Sequence, residues 1–190
     1  MIGLAPGELR RAFEHAHPFD EYLARHGSRS AAWKRLYDET LLKPAQRELL
    51  AGFVRRMPVL CISGIWCGDC ARQGPLLARI AEASPQIPLH FIEREEVPSI
   101  AELVRINDGE RVPVVLFLAE DFHPVSVEGD RTLSRYRSLA RQHLGAACPL
   151  PGATVPADER ETVLQEWLDE FERVQLLLRL STRLRSLHGD

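Results

Sequence analysis

Apolar residues recur at helical spacing through the first 56 positions and change to strand-like runs only afterwards. Leu9, Phe13 and Ala16 share one helical face; Pro18 interrupts it, and Phe19, Tyr22 and Leu23 resume it. His26-Gly27-Ser28 is a break. Trp33, Leu36, Tyr37 and Leu41 predict another amphipathic stretch, stopped before Pro44, and Leu49, Leu50, Phe53 and Val54 a third helix ending at Arg55-Arg56. The run Val59-Leu60-Cys61-Ile62, bounded by Pro58 and Gly64, has the pattern of a buried strand. After Cys67, Leu76, Leu77, Ile80 and Ala81 predict a helix closed by Ser84-Pro85. Residues 87–92 form a second predicted strand, ended by Glu93-Arg94-Glu95-Glu96, a run expected to be a solvated loop with the option of selecting basic partners. Ile100, Leu103, Val104 and Ile106 fit a short helix, and Asn107-Asp108-Gly109 turns the chain. Residues 112–118 and 125–128 are two tightly joined strands, and 133–144 a further amphipathic helix. The order strand–helix–strand–helix–strand–strand–helix predicts an α/β fold with a mixed sheet flanked by helices. No strand signal precedes residue 58, so four strands are expected.

Residues 148–156, with Pro149, Pro151, Gly152 and Pro156, read as a loop, and one long helix is predicted from Ala157 to about His188. Asp158 followed by Glu161 has the spacing of a capping box, and Arg179, Arg183 and Arg185 sit at the end the helix dipole favours. Leu164, Trp167, Phe171, Val174 and Leu178 make one apolar stripe; Leu177, Leu180, Leu184 and Leu187 continue it, shifted. So broad a face requires cover. Packing against the N-terminal helices of the same chain is expected, with a homodimer through this helix or a docked partner as the other ways to cover it. The organisation expected is a single domain over 1–190: a helical extension (1–56), a core (57–145), then a loop and C-terminal helix (146–190).

Composition narrows the function classes. The chain has 190 residues, 45% hydrophobic and 27% charged, enough for one sizeable core. A net charge of −3 offers no field for nucleic acid or an anionic membrane, and of the 24 Lys and Arg residues only Lys34 and Lys43 are lysines, with no polybasic run. No apolar run approaches the ~20 residues of a membrane span. Residues 1–11 lack the apolar region of a secretion signal, so a reducing cytoplasmic location is the expectation, and structural disulfides are not.

Three of the four cysteines, Cys61, Cys67 and Cys70, fall within ten residues, which points to chemistry. Trp66-Cys67-Gly68-Asp69-Cys70 follows a predicted strand and opens a predicted helix. Positions i and i+3 on a first helical turn place two cysteines roughly 5–6 Å apart, within disulfide range. The first would lie where free backbone N–H groups and the positive dipole end stabilise a thiolate. Cys67 is then the nucleophile toward a substrate disulfide and Cys70 the thiol that resolves the mixed disulfide. Gly68 lets a substrate backbone approach, and Trp66 can shield the thiolate and contact substrate. Zinc would need two further ligands, and neither a second CxxC nor a paired-His motif exists. His90, His123 and His143 read as surface or rim residues, Cys61 as a small core residue and Cys148 as a bystander thiol.

On these residues the chain resembles the thioredoxin superfamily. Trp66-Cys67-Gly68-Asp69-Cys70 is similar to that family's WCGPC with Asp69 at the proline; Pro75 matches the proline that kinks the active-site helix, Val112-Pro113 the cis-proline facing the cysteines, and Gly129 a recurrent glycine. The resemblance covers about residues 57–145. It implies a thioredoxin-like core, disulfide-containing protein substrates, a cytosolic disulfide reductase as electron donor, no cofactor, and a Val112 backbone edge on which a substrate strand can pair. Two departures stand out. Cys61 occupies the place of the family's buried acid, so Asp69 is the candidate to handle the Cys70 proton. Asp69 is also expected to raise the Cys67 pKa and give a reducing couple, around or below roughly −230 mV. The alternative is a binding or redox-sensing module on the same scaffold, with little turnover, whose helical extensions dock a partner.

Overall fold

The computed structural model describes residues 3–144 and 157–190. Prolines open three of the helices, where their missing N–H costs nothing: Pro6 in α1 (Pro6–His15), Pro44 in α4 (Pro44–Ala51) and Pro98 in α6 (Pro98–Leu103). Between α1 and α4 lie α2 (Phe19–His26) and α3 (Ala31–Glu39). The sheet is built from β1 (Val59–Ser63), β2 (Leu89–Glu93), β3 (Val114–Leu118) and β4 (Pro124–Gly129) in the order β2-β1-β3-β4. Helix α5 (Gly68–Glu82) connects β1 to β2, which run parallel, whereas β3 is antiparallel to both β1 and β4. Helices α7 (Leu133–His143), α8 (Glu159–Leu180) and α9 (Thr182–His188) complete the chain.

The two central strands, β1 and β3, are buried at every position, as helices on both sheet faces require. Alternation places Cys61 and Ser63 on one face of β1, and register sets Cys61 beside Phe91 and Ser63 beside Glu93. On that face Phe91 meets Tyr22, Trp33 and Phe19, with ring centroids 5.5, 6.1 and 5.6 Å apart. Further along the sheet Phe117 meets Phe171 of α8 edge-on at 5.0 Å. On the other face Phe13 of α1 stacks on His90 at 4.2 Å. The outer edge of β2 is covered by the chain between α1 and α2: His17 and Phe91 exchange both backbone hydrogen bonds, 2.9 and 2.7 Å.

The mixed four-stranded sheet with helical additions at both ends is as the hydrophobic pattern implied; among the boundaries that differ, four stand out. The third helix stops at Ala51 rather than Arg56, and Gln175 of α8 binds the Arg55 N–H (2.8 Å) and C=O (3.0 Å) of the non-helical segment that follows. Helix α6 ends at Leu103, leaving Val104 and Ile106 in the turn that follows. Glu93 is the last residue of β2, its side chain only 16% exposed, so the acidic run is not solvated loop throughout. The long C-terminal helix is broken at Ser181, which ends α8 and caps α9 by accepting the Leu184 N–H at 3.4 Å.

That break splits the second leucine stripe: Leu184 is buried, whereas Leu177, Leu180 and Leu187 are exposed. The first stripe, Leu164 to Leu178, is buried throughout. It packs on the core, and Leu164 also borders Thr40, Leu41 and Gln46 of the N-terminal segment. Trp167 donates to Gln73 of α5 at 3.1 Å, Glu166 accepts the Ser134 N–H at the start of α7, and Phe171 reaches the sheet. The N-terminal segment also meets α8 through polar bridges such as Gln46–Gln165 at 2.9 Å and Arg160–Glu39 at 3.1 Å. Asp158 accepts the Glu161 N–H at 3.0 Å, one half of the expected capping box. No described helix is long and apolar enough to cross a membrane. Cys148 and the loop expected over 148–156 lie outside the described residues.

Candidate active site

The chemistry sits where β1 hands over to α5. Leaving the sheet at Ser63, the chain turns through Gly64 and Ile65, and the Cys67 N–H closes the turn onto the Gly64 carbonyl at 2.9 Å. Cys67 is the N-cap of α5, with extended backbone, and its sulfur accepts the Cys70 N–H at 3.3 Å. Its sulfur also lies 3.5 Å from the Val112 carbonyl, to which the thiol can donate. Val112 and Pro113 are joined by a cis peptide bond. Gly129 of β4 passes so close behind that strand that a Cβ there would lie 2.6 Å from the Pro113 carbonyl oxygen. Pro75, inside α5, is buried.

The two thiols differ in every respect that sets reactivity. Cys67 is partly exposed; its acidity is pushed from the ordinary value of 9.0 down to about 6, first by hydrogen bonding from Cys70, then by backbone N–H groups of Cys70 and Asp69, against partial desolvation. Cys70 is fully buried, and burial, followed by its contact with Cys67, pushes its pKa far up. Cys61 is likewise fully buried, with its pKa raised by desolvation.

The expected effect of Asp69 is present but outweighed. Its charge does oppose the Cys67 thiolate, but less strongly than any other influence, so the net shift is downward. The carboxylate is also matched: Arg131 binds it at 2.6–2.7 Å and Arg135 at 3.0 Å, both oxygens being occupied. The Cys67 pKa is thus lowered, not raised as expected for a reducing couple. Neither arginine stood out in the sequence, since both lie at the start of α7, more than 60 positions from the motif.

Around the thiols, Trp66 is 58% exposed with the Arg94 guanidinium 5.5 Å from its ring centroid. Gly68 faces open space, with nothing within 4 Å of where a Cβ would be. Trp66 and Gly68 are exposed beside the partly exposed Cys67, whereas Val112 and Pro113, whose backbone meets the Cys67 sulfur, are buried. The histidines lie elsewhere: His90 is stacked on Phe13 at 4.2 Å, and His123 and His143 are exposed.

Behind Cys70 is a group of residues the sequence did not single out. The Tyr22 hydroxyl donates to Glu93 Oε1 at 2.5 Å; the same oxygen accepts the Ile65 N–H at 3.0 Å and lies 3.2 Å from His26 Nε2. Ser63, fully buried on the same sheet face, has a hydroxyl with no well-formed hydrogen bond of its own. Only the strand alternation of Cys61 and Ser63 offered a sequence signal for this group.

Comparison with known proteins agrees with this geometry. The family described as Thioredoxin matches residues 16–134, starting well before the 57–145 core that the motifs delimit. A Thioredoxin H-type from Picea mariana is 25% identical over 103 residues, 54% of this chain and 78% of the relative. In the crystal structure of a protein of unknown function from Pseudomonas aeruginosa, the same fold covers 86% of this chain and 93% of that one, at 20% identity and a TM-score of 0.65. An HIV epitope scaffold is similar over 95% of this chain and 98% of its own, at 20% identity and a TM-score of 0.56. Those two likenesses bear on fold, and they extend it over the helical additions.

Proposed function

The chain belongs to the thioredoxin family, whose chemistry is thiol–disulfide redox exchange, and from that premise we propose that it exchanges disulfides with protein substrates through Cys67 and Cys70. The observation that carries this reading is the asymmetry of the pair: a partly exposed, acidified Cys67 at a helix N-terminus and a buried, weakly acidic Cys70 one turn on. Cys67 thiolate attacks one sulfur of a substrate disulfide, forming a mixed disulfide and releasing the other sulfur as a thiolate. Cys70 then attacks Cys67 Sγ, closing the Cys67–Cys70 disulfide and freeing the reduced substrate.

Trp66, Gly68 and the Val112-Pro113 backbone are the surface on which an extended substrate segment would lie, with the Val112 carbonyl already 3.5 Å from the attacking sulfur. Asp69 enters as an anchor for Arg131 and Arg135, tying α5 to the start of α7, and not as the acceptor of the Cys70 proton. Electrons pass through the dithiol itself, so the reaction needs no cofactor; a disulfide reductase of a reducing compartment such as the cytoplasm is the donor this chemistry calls for.

Substituting Cys70→Ser tests the assignment. The variant should accumulate mixed disulfides with substrate proteins through Cys67, released by dithiothreitol and absent from Cys67→Ser. Equal trapping by both variants would contradict the roles given to the two cysteines.

A further inference from the structure

The motif carries a carboxylate between its two thiols, where it would work against the nucleophile. Asp69 lies in the first turn of α5, two residues after the N-cap Cys67 and one before Cys70. A carboxylate in a first helical turn ordinarily turns to the free N–H groups there. Here those groups serve the sulfur: Cys67 Sγ accepts the Cys70 N–H at 3.3 Å. Asp69 is held in another direction. Its Oδ2 takes Arg131 Nε and Nη2 at 2.7 and 2.6 Å, its Oδ1 takes Arg135 Nε at 3.0 Å, and the side chain is 13% exposed.

The two arginines are themselves fixed. Arg131 Nη1 binds Asp130 Oδ2 at 2.6 Å, so one planar fork spans both carboxylates. Asp130 is buried; it also binds Arg111 at 3.3 Å and accepts the Tyr136 hydroxyl. Its backbone carbonyl accepts Gln73 Nε2 of α5 at 2.8 Å, one turn along the helix from Asp69. Arg135 Nη1 reaches Glu159 of α8 at 3.3 Å. The carboxylates of Asp69, Asp130 and Glu159 are thus matched by the guanidinium groups of Arg111, Arg131 and Arg135.

We propose that Arg131 and Arg135 are positioning residues for the nucleophile: by holding both Asp69 oxygens toward the start of α7, they keep the motif's own carboxylate from opposing the Cys67 thiolate and from taking the N–H groups that serve it. So held, Asp69 is the weakest of the influences on the Cys67 thiol. The other groups near Cys67 are accounted for. Cys70 of α5 and Cys61 of β1 are buried thiols with raised pKa values, the Val112 carbonyl is neutral, and Arg94 stands over the neighbouring Trp66 ring. Asp69 is therefore the acid whose placement matters in this turn.

The proposal rests on the reading of Cys67 as nucleophile, and one measurement separates the two. The rate of Cys67 alkylation by iodoacetamide, located by mass, is followed against pH in Arg131→Gln and in Arg135→Gln. Arg131 also serves the buried Asp130, so Arg135→Gln covers a folding failure of the first variant. Each substitution should raise the midpoint by at least about half a pH unit. Adding Asp69→Ala to either should return the midpoint to within about 0.2 pH unit of that of Asp69→Ala alone, because no carboxylate is left to release. A midpoint unmoved by the arginine substitutions, or moved equally when Asp69→Ala is present, would overturn the positioning role while leaving Cys67 as nucleophile. A wild-type midpoint near the ordinary value of 9.0 would contradict both.

Discussion

Cys67 owes its acidity to neighbours within three residues: the Cys70 thiol and the N–H groups of Cys70 and Asp69, all set by the first turn of α5. Because the group is lowered to about 6, the thiolate fraction rises with pH through that value and is already dominant at pH 7. The rate of Cys67 alkylation by iodoacetamide should follow the same curve, with its midpoint near pH 6; a midpoint near the ordinary value of 9.0 would contradict the assignment. At this scale the sequence was legible only as far as local geometry reaches. The Trp66-Cys67-Gly68-Asp69-Cys70 spacing on a strand–helix junction located the thiols and the thiolate-stabilising helix start. The weight of Asp69 was not legible because its partners, Arg131 and Arg135, arrive from more than 60 positions away. Tyr22 and Glu93, 71 positions apart, read as an apolar-face residue and a solvated acid for the same reason.

Elements depend on each other here through close approaches that residue patterns do not display. Helix α3 lies against α5 at Gly74, where a Cβ would fall 2.1 Å from the Trp33 ring, and Trp33 is itself fully buried against Tyr22 and Phe91. The ring has no free space into which to retreat. Gly74→Ala should therefore destabilise the protein by about 1–3 kcal/mol through overpacking, read as a lower urea midpoint with unchanged slope; a loss below about 0.5 kcal/mol would show that the helices separate more easily than this packing implies. Periodicity recovered β1, α5, β3 and the buried stripe of α8 because each has an unbroken face to bury. It failed at Arg55 and at Ser181, where a side chain intervenes in the backbone: Gln175 binding the Arg55 amide groups, and the Ser181 hydroxyl capping a new helix. Neither hydrogen bond has a hydrophobic period.

For the whole molecule, the helical additions are part of the machinery's frame. Helix α2 covers the sheet face behind Cys70, α8 packs on α5 and α7, and Arg131, just before α7, and Arg135 within it hold Asp69. The buried core accordingly runs from Leu4 through the sheet to Leu184. The family resemblance read from the cysteine motif, Pro75, Val112-Pro113 and Gly129 reached only about half the chain, since those residues all mark the sheet and α5; the family match itself begins at residue 16, within the segment that supplies Tyr22. The exchange proposed within this frame requires Cys67 and Cys70 to form one reversible couple. It is tested most directly by equilibrating the protein in graded dithiothreitol or glutathione buffers, alkylating the free thiols and locating them by mass. A single two-electron transition confined to Cys67 and Cys70 is expected, with Cys61 protected from alkylation while the protein remains folded. No reversible transition, or one that joins Cys61 to either partner, would contradict it.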